Sequence, residues 1–270
     1  MLFHGLKQTL LVIFLFAGFI SCVYSESVKT VVVYGDSRTN YAVHRKLLGL
    51  IESFSPEAVF HTGDLVQDAR NNVQWKKFVS MSESLLKTSK FYPTLGNHEH
   101  SSKLYFDFFK LPNNERWYAV DTAGIHAIVM DTYSDYMPQS EQYAWLEKEL
   151  EDGQKIKKLM IIISHTPPYS TGPHGGEKNM QQHLVPLFEK FGVKAVFSGH
   201  DHDYERSEKN GITYIVTGGG GAPLYNQKSK SDISLKFVKK HHFCVISERN
   251  GVFHVVALDD NKQEIDAFDL

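Results

Sequence analysis

Five short apolar runs constrain this chain more than anything else in it. Each is rich in β-branched or aromatic residues, and each stops at side chains able to bind a metal. The runs at 30–34, 58–62, 91–95, 159–163 and 195–198 lead into Asp36, Asp64, Asn97 with His98, His165, and His200 with His202. Short runs of this kind, closed by Gly or Pro, read as buried strands. In an open sheet the loops past the carboxyl ends of the strands meet in one crevice, where ligands bind. Two carboxylates, one amide and three imidazoles are thereby expected at one point, a donor set suited to metal ions.

Segments of helical period separate these runs. Val43, Leu47, Leu50, Ile51 and Phe54 form one apolar stripe, and Trp75, Phe78, Val79, Leu85 and Leu86 form a second. Trp145, Leu146 and Leu150 follow Ser140, an expected N-cap, with Glu141 in the first turn. Met180, His183, Leu184, Leu187, Phe188 and Phe191 make a fourth stripe. Alternating strands and helices imply a layered α/β architecture. Beyond Ile212 the pattern changes to strands at 213–217, 243–247, 252–258 and 264–268, read together as an antiparallel meander with turns such as Asn250 and Gly251. The stretch 167–177, with three Pro and three Gly, reads as a loop shaping the site directly after His165.

The amino end has a different character. One Lys at position 7 precedes an uncharged apolar stretch at 10–20, too short to span a bilayer comfortably, and compact residues follow to Ser25. Residues 1–25 therefore read as a secretory signal peptide and 26–270 as the folded domain, secreted or periplasmic. Cys22 sits in a degenerate lipoprotein box and offers a lipid anchor as the alternative. No later stretch is apolar enough for a transmembrane span. After processing Cys244 is the one remaining cysteine, which excludes an internal disulfide and reads as an inert buried thiol. A formal charge of −2 without a basic run argues against a nucleic-acid-binding surface.

The order of Asp36, Asp64, Asn97 with His98, His165, and His200 with His202 resembles the calcineurin-like metallophosphoesterases, and most of all their purple acid phosphatase branch. The stretches 199–206 and 217–223 add to the likeness. The resemblance implies a four-layer α-β-β-α sandwich of two mixed sheets flanked by helices, and two divalent or trivalent ions (Fe, Mn or Zn). Asp64 would bridge them. Asp36 and His202 would complete the first set of protein ligands, and Asn97, His165 and His200 the second. A hydroxide held between the ions would attack the phosphorus of a small-molecule phosphate monoester. His98 would be catalytic, stabilising the transition state or protonating the leaving oxygen, while Asn97 and His174 contact the substrate.

The chain also departs from the family pattern. Arg38 stands where the wider superfamily has a His, and Gln67 where purple acid phosphatases have a Tyr. Water, Gln67 or His44 could fill the first ion's missing ligand, and Arg38 would then face the open position and fork onto phosphate. Without a tyrosinate ligand no purple colour is expected. Phosphodiester or nucleotide hydrolysis on the same site, and a weakened phospho-ligand- or metal-binding protein, are the alternatives. His61, His100, His126, His183, His241, His242 and His254 are read as structural.

Overall fold

The structure is a computed structural model that describes residues 29–99 and 102–270. The predicted leader, Cys22 and His100 lie outside the described residues. The first stretch runs β1 (Thr30–Tyr34), α1 (Tyr41–Glu52), β2 (Ala58–His61), α2 (Asn72–Met81), α3 (Glu83–Thr88), β3 (Lys90–Pro93) and α4 (Lys103–Phe108). A hairpin follows, β4 (Tyr118–Thr122) and β5 (Ile125–Val129), and then α5 (Glu141–Lys155) and β6 (Leu159–Ile163). A π-helical turn, Met180–Leu184, leads into α6 (Val185–Phe191), β7 (Ala195–Ser198), β8 (Tyr204–Lys209), β9 (Ile212–Thr217) and β10 (Ser234–Val238). The chain closes with β11 (His242–Arg249), β12 (Val252–Asp259) and β13 (Glu264–Asp269).

These strands form two mixed sheets. One has the order β13-β12-β11-β1-β2-β3, and the other β10-β8-β9-β7-β6-β5-β4. Within them β1, β2 and β3 are parallel, as are β5, β6, β7 and β9. The β1 run is apolar on both faces because both are covered: Val31 and Val33 face the second sheet, while Val32 and Tyr34 pack with Leu47, Leu48 and Ile51 of α1. Phe60, Ile161, Ile163, Phe197 and Ile215 fill the layer between the sheets. Each such side chain stabilises the fold by about 1.5–3 kcal/mol when buried. Leu146, Leu150, Leu184 and Phe188 from α5, the π-turn and α6 cover the outer face of the second sheet. The layers are those of the expected α-β-β-α sandwich.

Two local readings differ from the sequence pattern. The second apolar stripe is divided, because Ser82 ends α2 and starts α3. The segment 213–217 does not join the terminal meander: β9 lies in the second sheet, parallel to β7 and antiparallel to β8. Only β11, β12 and β13 form the meander, and it attaches to β1 of the first sheet. Ser140 caps α5 as expected, accepting from the Tyr143 N–H. Among the described residues no helix is long and apolar enough to cross a membrane.

Candidate metal centre

The carboxyl ends of β1, β2, β3, β6 and β7 deliver the site. Asp36 and Asp64 adopt left-handed backbone conformations, φ 56° and 58°, and His200 does so at φ 71°. Such positions are strained for residues with a side chain and cluster at functional loops. Within the first sheet the Asp36 N–H donates to Gly63 O at 3.0 Å, and His165 Nδ1, 2.7 Å from Thr62 O, ties the second sheet to the first. Two glycines make room for the carboxylates. A Cβ on Gly96 would collide with the Asp64 side chain, and one on Gly199 with that of Asp36.

Donor atoms converge in two groups. Asp36, Asp64 and His202 each offer a ligand atom, all within 4.8 Å of one another, and all three residues are buried. Asp36 Oδ1 has no hydrogen-bond partner and lies 3.5 Å from His202 Nε2. On the other side, Asn97 Oδ1 is 3.1 Å from both His165 Nε2 and His200 Nδ1, and Asp64 Oδ1 is 3.7 Å from His165 Nε2. Asp64 thus belongs to both groups. A carbonyl oxygen can only accept, so His165 Nδ1 donates its proton to Thr62 O. In the neutral ring Nε2 then turns a lone pair toward the Asn97 oxygen. Two acceptors at that distance repel unless a cation lies among them. The orphaned Asp36 oxygen and these facing lone pairs fit a pair of metal ions.

Electrostatics agree with this chemistry. Burial and the neighbouring His165 and His174 push His200 down to about 3, leaving it neutral and free to ligate. Burial pushes the Asp64 carboxyl up, but His165, His98, the His98 N–H and Arg38 outweigh it and hold it ionised. Burial likewise lowers His202, yet the Asp36 carboxylate overrides this and raises it. Both carboxylates stabilise positive charge beside them.

Of the other candidate residues, His98 and His174 border this centre, while His44, Gln67 and Arg38 depart from their expected places. The His98 N–H donates to Asp64 Oδ1 at 3.0 Å, and His98 Nδ1 is fixed on Gln67 O at 2.7 Å. His174 Nδ1 sits 2.8 Å from Asp201 Oδ1, with its ring 4.2 Å from that of His200. His44 is buried in α1 instead, beside Phe78 and 3.2 Å from the Tyr34 hydroxyl, and does not reach the centre. Gln67 is exposed, and its side-chain oxygen accepts from Arg38 Nη1 at 2.7 Å. Arg38 does not face an open position. Its Nε donates to Asp64 Oδ2 at 3.2 Å, and its Nη2 lies 3.2 Å from His202 Nε2.

Three residues without an assigned role in the sequence reading border the site. Glu99 accepts from the N–H groups of Asp64, Leu65 and Gly96, at 2.8, 3.0 and 2.8 Å, and so fixes the Asp64 loop. Tyr133 donates to Asn97 Oδ1 at 3.4 Å, and Tyr225 stacks on His202 at 4.1 Å. Glu99 adjoins His98 in the motif, but partners 34 and 35 residues away leave no local signal.

The profile of the calcineurin-like phosphoesterases matches residues 29–204. The chain belongs to that family. Purple acid phosphatase 21 of Arabidopsis thaliana is 30% identical over 203 residues, 66% of this chain and 45% of the relative. The Fe(3+)-Zn(2+) purple acid phosphatase 12 of the same plant is 29% identical over 204 residues, 66% of this chain and 43% of its own. The chain thus spans less than half the length of these relatives. Purple acid phosphatase PPD1 from yellow lupin superposes with a TM-score of 0.79 at 20% identity, over 90% of this chain and 53% of that one. Within the phosphoesterase family the likeness is to the purple acid phosphatase branch, and the sandwich fold is shared.

Proposed function

We propose that this chain is a secreted phosphoesterase that hydrolyses phosphate monoesters at a dinuclear metal centre. The observation that carries this reading is Asp64, shared by two groups of converging donors. Asp36, Asp64 and His202 would hold one ion, and Asp64, Asn97, His165 and His200 the other. When bound, such a pair acidifies a water between the ions and neutralises phosphoryl oxygens. His98 donates Nδ1–H to Gln67 O, so its Nε2, 3.7 Å from Asp64 Oδ2, faces the site. There it can hold the proton that passes to the departing oxygen. His174, with its side chain 42% exposed and anchored on Asp201, contacts the leaving group, and Asn97 helps orient the phosphate. Arg38 is turned inward, which leaves those substrate contacts to Asn97 and His174.

The leader read at 1–25 and a domain covering 26–270 support export. Similarity to acid phosphatases favours monoesters. The test is release of p-nitrophenol from the monoester and from its bis-ester, with Mn, Fe, Zn or Mg added. Faster release from the monoester is expected. Preference for the bis-ester would reassign the chain as a phosphodiesterase. Release from neither with any metal would reject hydrolysis in favour of phospho-ligand binding.

A further inference from the structure

Arg38 occupies the place where a cation is wanted. Its side chain is only 11% exposed, and a guanidinium withdrawn from water that far must be paired. All three of its nitrogens are used, Nε on Asp64 Oδ2, Nη1 on Gln67 Oε1 and Nη2 against His202 Nε2. Two of these three partners belong to the first donor group. His202 Nδ1 is 2.8 Å from Pro223 O, which can only accept, so the neutral ring turns its Nε2 lone pair to the guanidinium. The fork is also braced from behind, because Gln74 Oε1 accepts from the backbone N–H groups of Gln67 and Asp68 at 2.9 and 3.0 Å. A planar guanidinium meeting acceptors this way satisfies the carboxylate and imidazole that a metal ion would otherwise satisfy. In the second group these bonds of Arg38 reach only the shared Asp64, through Oδ2, and not Asn97, His165 or His200.

We propose that Arg38 is a built-in competitor for the first of the two ions. The centre made by Asp64, Asn97, His165 and His200 then fills at low metal concentration. The one made by Asp36, Asp64 and His202 fills only as the guanidinium swings out toward solvent. The inference rests on the dinuclear reading above and adds an order of loading to it. It also makes the first position a sensor of metal supply, since the chain carries its own charge balance when the ion is scarce.

The test is titration of the metal-stripped full chain with Mn2+, by calorimetry and by elemental analysis after dialysis. Wild type, Arg38→Ala and Arg38→Gln are compared, the Gln variant retaining most of the stem packing. Wild type should bind in two steps separated by about ten- to a hundredfold, the range over which groups around a metal site set its affinity. Both variants should tighten the weaker step by about that factor and leave the tighter one within about twofold. Melting supplies a second readout. In chelator the variants should melt below wild type, because Asp64 has lost its partner, and saturating Mn2+ should raise them more than it raises wild type. Unchanged isotherms in both variants overturn the inference while leaving the dinuclear reading intact. A melting deficit that Mn2+ does not relieve marks Arg38 as structural and also overturns it. No Mn2+ binding by any of the three chains overturns both.

Discussion

Replacing Glu99 with Ala should loosen the Asp64 loop, and the size of the effect follows from its three hydrogen bonds. The buried carboxyl accepts the N–H groups of Asp64, Leu65 and Gly96. Stranding a buried donor costs about 1–3 kcal/mol, so three of them cost roughly 3–9 kcal/mol before relaxation. Relief of burying the acid, and water entering the gap, offset part of this, leaving about 3 kcal/mol near pH 5. At about 2–4 °C per kcal/mol for a chain of this size, the melting point should fall by roughly 6–12 °C. Burial, and then the Asp64 charge, push the Glu99 carboxyl up to about 8, from an ordinary value of 4.5. A raised acid contributes stability below its unfolded value and loses it as pH climbs toward the folded one. In metal-free protein the deficit of the variant should therefore shrink between pH 5 and pH 8. The assay is thermal unfolding in chelator across that range, followed by Mn2+ titration, where affinity should fall by about ten- to a hundredfold. A melting point and Mn2+ affinity equal to wild type at pH 5 would refute the reasoning.

Two further outcomes test the surroundings of the centre. Asp203 has both carboxylate oxygens buried without a partner, and burial, then Asp201, Glu205 and Asp36, push it up to about 8. Asp203→Asn should leave metal-free stability unchanged near pH 4, then stabilise progressively up to about pH 8 and no further, by a few kcal/mol in urea unfolding. His44→Ala should cost about 2–4 kcal/mol of stability, through lost packing on Phe78 and the lost bond to Tyr34, and leave the Mn2+ isotherm unchanged.

What could be read from the sequence was what burial imprints locally. Strands covered on both faces, such as β1 with Val31 to Tyr34 and β6 with its Ile161 to Ile163, appear as unbroken apolar runs, and the donors stand directly after them. The β4–β5 hairpin escaped this reading. The faces of β4 are mixed, β5 is buried throughout but interrupted by His126, and the turn is made by Ala123 and Gly124, at φ 47° and 78°, rather than by the usual Asn-Gly pair. β8 is written in charges that are satisfied far away: Arg206 donates to Asp266 at 2.7 Å, and Glu205 accepts from Thr171. The same distance problem hid Glu99. For β9 the residues were correctly strand-like, but partner choice is a long-range property, and the run 212–217 carries no mark of which sheet it joins. Arg38 shows a further limit. Its position beside Asp36 is plain in the sequence, whereas the direction of its side chain depends on Asp64, Gln67 and His202, which are 26, 29 and 164 residues away.

The most direct measurement is electron paramagnetic resonance of the chain saturated with Mn2+, beside its Asp64→Ala variant. Two ions joined through one carboxylate are magnetically coupled, so wild type should give an exchange-coupled spectrum that the variant loses. The signal of isolated Mn2+ in the saturated wild type would contradict the shared role of Asp64.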